Sequence, residues 1–182
     1  GKLTGRVGPW NLGFLAIQQD EFGAIENTDL FVGRVAANVL SESSAGVMVT
    51  SGDPRSNLNN TVIGADFRYQ NTKLANGRTL QAEAWYQQSE TNGIHGNDSA
   101  FGFGVGMPNS NSFRWNFGVK ELEVNFKPAL GFLNRSGIRN ETLQLGYTYR
   151  PRLSRLQTVY GGLDAQRVIR LTGTLDEKVL VW

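Results

Sequence analysis

Residues 60–88 read NTVIGADFRYQNTKLANGRTLQAEAWYQQ, and the alternation in this stretch decides the fold. In the first arm Thr61, Ile63, Ala65, Phe67 and Tyr69 share one face. Asn60, Gly64, Asp66, Arg68 and Gln70 share the other, with Val62 as its one apolar exception. In the second arm Leu80, Ala82, Ala84 and Tyr86 alternate against Gln81, Glu83, Trp85 and Gln87. Successive side chains of a strand point to opposite faces, so a period of two with one apolar and one polar side marks a pair of strands. Asn76-Gly77 between them suits a two-residue type I′ turn, whose central residues both need positive φ. That turn pairs Ala75 with Arg78. Carried outward, it sets Phe67 opposite Tyr86 and Gln70 opposite Glu83, with Arg68 diagonal to the carboxylate. A register slipped by four would set Asp66 against Glu83, a like-charge pair that destabilises a sheet. The first register is the one expected.

The same period runs through the rest of the chain, and no segment reads as a helix. Residues 2–7, 11–22, 30–40 and 45–50 precede the hairpin as strands; 99–107, 113–120, 141–150, 155–169 and 178–182 follow it, eleven in all. In 99–107, Phe101, Phe103, Val105 and Met107 oppose Gly102, Gly104 and Gly106. A strand face of glycine alone fits a place where a bulky neighbour comes close. Connections at 8–11, 41–44, 76–77, 108–111 and 151–154 read as tight turns. Those at 23–29, 52–59, 90–98, 121–140 and 172–177 read as longer and polar. An antiparallel up-and-down meander with short turns at one end and long loops at the other is the pattern of a transmembrane β-barrel. Soluble sandwiches, with Greek-key crossings, do not sort their loops this way.

Energetics then assign the faces. Phe31, Phe67, Tyr86, Phe101, Phe113, Trp115, Phe117 and Tyr147 lie on a face with almost no charge, whereas Arg34, Asp66, Arg68, Glu83, Arg114 and Lys120 lie on the opposite one. An Arg or Lys turned toward hydrocarbon at mid-depth costs roughly 2–4 kcal/mol. The first set is therefore expected to face lipid and the second a wet lumen. The bland alternative is a soluble barrel or sandwich that buries its apolar face.

Composition supports this reading by exclusion. The longest apolar runs fall far below the roughly 20 residues of a membrane helix. Basic residues exceed acidic ones by only 18 to 16, which gives nucleic-acid binding no support. The absence of cysteine removes disulfides and thiolate metal sites. Abrupt ends, inside apparent strands at Gly1 and Trp182, suggest a segment of a longer polypeptide, with residues 1–182 forming one barrel segment and further strands outside it.

Several short motifs also carry a resemblance. Gly1-Lys2-Leu3-Thr4-Gly5-Arg6-Val7-Gly8 with Pro9-Trp10, Phe31-Val32-Gly33-Arg34-Val35, Gly64-Ala65-Asp66 and Asn125-Phe126-Lys127-Pro128-Ala129-Leu130-Gly131-Phe132 span most of the chain. Together they resemble the barrel region of a poorly characterised bacterial outer-membrane family whose barrel follows a domain similar to family 9 carbohydrate-binding modules. The fourth stretch has Lys127 and Ala129 where that family's pattern has Asn and Glu. The resemblance implies the bacterial outer membrane as location, lipid as a partner, and carbohydrate as a ligand of an N-terminal domain outside this chain.

Reactive constellations are missing. His95, the single histidine, sits between glycines (Gly93 and Gly96) in a polar loop, with no Gly-x-Ser-x-Gly elbow to serve. One histidine and no cysteine make no zinc set. Asp66 and Glu83 could form a carboxylate pair for glycoside hydrolysis, but each has an arginine in reach, and ion pairs in a lumen are the commoner arrangement. Gly102-x-Gly104-x-Gly106 has a strand's period and precedes no helix, so it is not a nucleotide loop. Asn97-Asp98-Ser99 lacks the acidic spacing of a calcium cage. No catalytic residue, metal or cofactor is expected. The expected function is a pore, or plugged channel, for small polar solutes. The alternatives are a non-conducting anchor or scaffold, and a membrane enzyme whose site lies outside this segment.

Overall fold

A computed structural model describes residues 1–109, 112–151, 157–172 and 175–181. The chain forms eleven strands: β1 (Lys2–Val7), β2 (Trp10–Gln19), β3 (Thr28–Val39), β4 (Ser43–Ser51), β5 (Asn60–Leu74), β6 (Arg78–Thr91), β7 (Ser99–Met107), β8 (Phe113–Leu122), β9 (Ile138–Tyr149), β10 (Val159–Arg170) and β11 (Leu175–Val181). Each pairs antiparallel with its sequence neighbours in a single sheet, ordered β1 through β11 without a crossover. The sheet is open: β1 pairs only with β2 and β11 only with β10 among the described residues. No helix among the described residues is long and apolar enough to cross a membrane.

Loops sort by end through the first eight connections. Residues 8–9, 40–42, 75–77 and 108–112 connect strands at one end, and 20–27, 52–59, 92–98 and 123–137 at the other. The last two connections depart from expectation. Most of the tight turn expected at 151–154 lies outside the described residues, and β10 opens only at Val159 instead of at 155. The polar loop expected at 172–177 is a correction of the opposite kind, because β11 already starts at Leu175 and pairs with Ile169. Asp176 and Glu177 read as loop because they are acidic, but ladder hydrogen bonds are made by the backbone whatever the side chain.

The central hairpin keeps its strands and turn but not its expected register. Phe67 lies opposite Ala84, Tyr86 opposite Ala65, and Glu83 opposite Arg68 in place of Gln70. Ala75–Gly77 form a short 3₁₀ turn closed by Leu74 and Arg78, and the register shifts between Asn71 and Leu74. Neighbouring turns engage the outer edges of the hairpin tip. Glu42 accepts hydrogen bonds from the Thr72 backbone N–H (2.7 Å) and hydroxyl (2.8 Å), while Asn109 accepts one from the Thr79 N–H (3.0 Å). In a two-residue turn closed by Ala75 and Arg78 the Thr72 and Thr79 N–H groups would also point outward, so these contacts pin the hairpin tip to its neighbours, and β5 carries a bulge. Gly77 does have positive φ, 68°.

Strand ends are staggered in one direction. The row of partners that begins at Trp10, the turn end of β2, runs through Ala37, Ala45, Phe67, Ala84, Phe103 and Val119 to reach β9 at Glu141. Glu141 lies near the far end of its strand, whose turn end is Tyr149 paired with Val159. Hairpin ends therefore step by about one residue per strand; at about 3.4 Å per residue and about 4.8 Å between strands, the strands slant by roughly 35° to the line of turns.

Burial is inverted relative to an ordinary sheet protein. Val62, Ala100, Ile138 and Val168, which all lie on the polar face, are buried with Phe126 and Ala129 of the 123–137 connection. Phe31, Phe67, Tyr86, Phe101, Phe113, Phe117 and Tyr147 on the apolar face stay exposed. No described residue packs over them.

Candidate functional site

Side chains directly opposite one another across a sheet share a face, so the register sorts the candidate residues. Arg34, Asp66, Arg68, Glu83, Arg114 and Lys120 fall on one face, and Phe31, Phe67, Tyr86, Phe101, Phe113, Trp115, Phe117 and Tyr147 on the other. The apolar face is not free of charge at its ends. Glu121 pairs with Arg139 (2.6 Å) and Glu141 with Arg167 (3.6 Å), all close to the loop ends of β8, β9 and β10. The stagger accounts for their position: the row holding Glu141 and Arg167 starts at the turn end of β2 and has crossed almost to the loop end.

On the polar face long side chains reach across strands over glycines. Arg34 on β3 meets Asp66 on β5 at 2.7 Å, passing over β4 at Gly46. A Cβ on Gly46 would sit 2.8 Å from the guanidinium. Trp85 lies over Gly102 in the same way, with the indole 2.5 Å from where a Cβ would be, which gives the glycine face of β7 its bulky neighbour. Arg114 stacks 4.7 Å from the centre of the Tyr160 ring, a cation–π geometry. Asp66 and Glu83 do not form a carboxylate pair: Asp66 is held by Arg34, and Glu83 faces Arg68 at 4.0 Å.

Between the charged rows lies a polar cleft of about 500 Å³. Gly104 and Gly118 belong to its lining; Arg68, Glu83 and Trp85 line one side, Asn116, Lys120, Asn140 and Thr142 the other. Lys120 has no hydrogen-bond or ion-pair partner among the described residues.

The loop end of the polar face is capped by the 123–137 connection. Phe126 packs on Val62 and Ala100, flanked by Trp85, Leu122 and Leu133. Val62, the apolar exception in the alternation of β5, is 2% exposed and forms part of the seat of this cap. Polar bonds latch it. Buried Asn60 donates to Thr91 Oγ1 and to the Lys127 carbonyl (2.8 Å each), and accepts from the Ala129 N–H at 3.1 Å. Ser89 Oγ accepts from the Lys127 N–H at 3.0 Å. Lys127 Nζ reaches Asp53, 1% exposed, at 2.7 Å. Asp53 also accepts from the Ser56 hydroxyl (2.7 Å) and the Arg55 N–H (2.9 Å), and the Arg55 guanidinium donates to the Ala129 carbonyl. Burial alone would raise the pKa of Asp53; the hydrogen bonds from Lys127, Ser56 and Arg55, with the lysine charge, outweigh it and hold the carboxyl below its ordinary value.

Asp53, Asn60, Ser89, Thr91 and Lys127 were invisible as a group in the sequence. The Asp-Pro-Arg-Ser run does signal an Asx turn, but nothing in it points to Lys127, which lies far along the chain. His95 is exposed in the 92–98 loop, and no group of metal-ligating side chains forms among the described residues. No family model matches the chain, and neither does any curated protein or solved structure.

Proposed function

We propose that this chain is a segment of a bacterial outer-membrane β-barrel whose polar face lines a passage for small polar solutes, narrowed at its loop end by the 123–137 connection. The observation that carries the reading is the inverted burial. A bare apolar face of aromatic and aliphatic side chains lies opposite a face of paired charges, amides and a packed loop. Such an apolar face is stable where hydrocarbon covers it, and such a polar face where water does. The slant of roughly 35° falls within the tilt of membrane barrels. From β2 to β8 the apolar face carries no charged residue between the rims among those described; Asp29, Glu90, Glu121, Arg139, Glu141 and Arg167 cluster toward the loop ends, and Lys178 on β11 continues the row of Glu141 and Arg167. Trp10, Phe113, Tyr147 and Tyr149 lie at the turn end, where an interfacial aromatic girdle belongs.

Antiparallel closure needs an even number of strands in a bacterial barrel of one chain. The reading thus assigns at least one further strand to polypeptide outside the eleven here. Full-length protein in planar bilayers should give discrete conductance steps, and loosening the cap by Asn60→Ala should enlarge them. Correctly assembled barrels that pass no current would replace the passage with a non-conducting scaffold.

A further inference from the structure

We infer that the cleft between β6 and β8 is a binding site for a small hydroxylated anion, a sugar acid or a compound of like chemistry, with Lys120 as the anchor for its negative group. The inference rests on the passage reading for access but not for its chemistry. Three features of the cleft carry it. Its volume, about 500 Å³, lies within the range of ligand pockets. Its space comes from the sequence: Gly104 on β7 and Gly118 on β8 keep the sheet surface low between Trp85 and Glu83 on one side and Lys120 on the other.

Its charge is unbalanced in one direction. Arg34 is taken by Asp66, and Arg68 is offset by Glu83 across the hairpin, leaving the Lys120 ammonium unpaired. An ammonium at a wet cleft recognises a carboxylate or phosphate as a point charge. Around it Asn116, Asn140 and Thr142, with Gln70 and Gln81 further along, present donors and acceptors together. That mixture matches hydroxyl groups, which both give and accept hydrogen bonds. A cation would meet Lys120 and Arg68 with only Glu83 in its favour, and an apolar solute would strand the amides.

Calorimetric titration of full-length protein in detergent micelles, with gluconate and glucose as probes, tests this without requiring conduction. Gluconate should bind more tightly than glucose. Lys120→Gln should weaken gluconate about tenfold while leaving glucose nearly unchanged, as loss of one charge-assisted bond predicts. Lys120→Arg should retain most of the affinity. Glu83→Gln, which removes the one carboxylate facing the anion, should strengthen gluconate binding several-fold. Equal binding of the two probes, absence of gluconate binding, or an unchanged affinity in Lys120→Gln would overturn the inference. Gluconate binding by a protein that carries no current would uphold the site and reject the passage; current without gluconate binding would do the reverse.

Discussion

Asp53 shows how much one carboxylate can hold in place. It is nearly inaccessible and gathers three donors, from Lys127, Ser56 and Arg55, that tie the 52–59 loop to the cap. Replacing it by Ala strips those donors of their acceptor at a cost of about 1–3 kcal/mol. Its pKa is lowered in the folded protein, so its contribution is complete above the ordinary carboxylate range and is lost as pH falls through the lowered folded value. In micelles, pepsin should leave the 123–137 connection intact at about pH 4, above the lowered value, and cut it at a pH low enough to protonate Asp53 in the folded protein, each measured against a denatured control. Asp53→Ala should be cut at both; equal resistance of the variant would show that the latch does not depend on this residue. On β8 the two faces give a second residue-scale prediction. Trp115→Arg should block assembly, at about 2–4 kcal/mol for an arginine toward lipid, whereas Arg114→Gln should assemble normally. Heat-modifiable gel mobility measures both, and equal tolerance at 114 and 115 would reverse the face assignment.

At the scale of elements, what was legible and what was not divide along local and non-local physics. Side-chain period is local, so each of the eleven strands overlaps a stretch read as a strand in the sequence, and the glycine face of β7 announced a bulky neighbour that the structure identifies as Trp85. Register depends on partners. The hairpin closes through a three-residue turn with a bulge between Asn71 and Leu74, two residues from the expected register, and its tip is held by Glu42 and Asn109 from the flanking turns, contacts that no reading confined to 60–88 could supply. Val62 was an unexplained exception until the cap was seen seated on it. Because the chain has no cysteine, paired substitutions report the register cleanly. Phe67→Cys with Ala84→Cys should oxidise readily, since directly opposed Cβ atoms sit near the separation a disulfide spans, while Phe67→Cys with Tyr86→Cys should not. Faster bridging of the second pair would restore the two-residue turn.

For the molecule as a whole, the open sheet and the bare apolar face make one joint demand. Among the described residues β1 and β11 each present an unpaired edge, and an edge strand is a template for pairing with another chain. Exposed side chains from Leu3, Trp10 and Phe14 on the first strands to Tyr147 and Leu180 near the last extend that hazard across the whole face. The small buried cluster beneath the cap offsets little of this in water, because it lies on the opposite side of the sheet. A polypeptide of these 182 residues, produced without detergent, should therefore aggregate, and detergent or lipid should be needed to recover strand structure. Light scattering and circular dichroism in plain buffer decide the matter. A monodisperse protein that unfolds cooperatively there would mean that the aromatic face finds cover within a soluble molecule, and the membrane reading would fall with the lipid it assigns to that face.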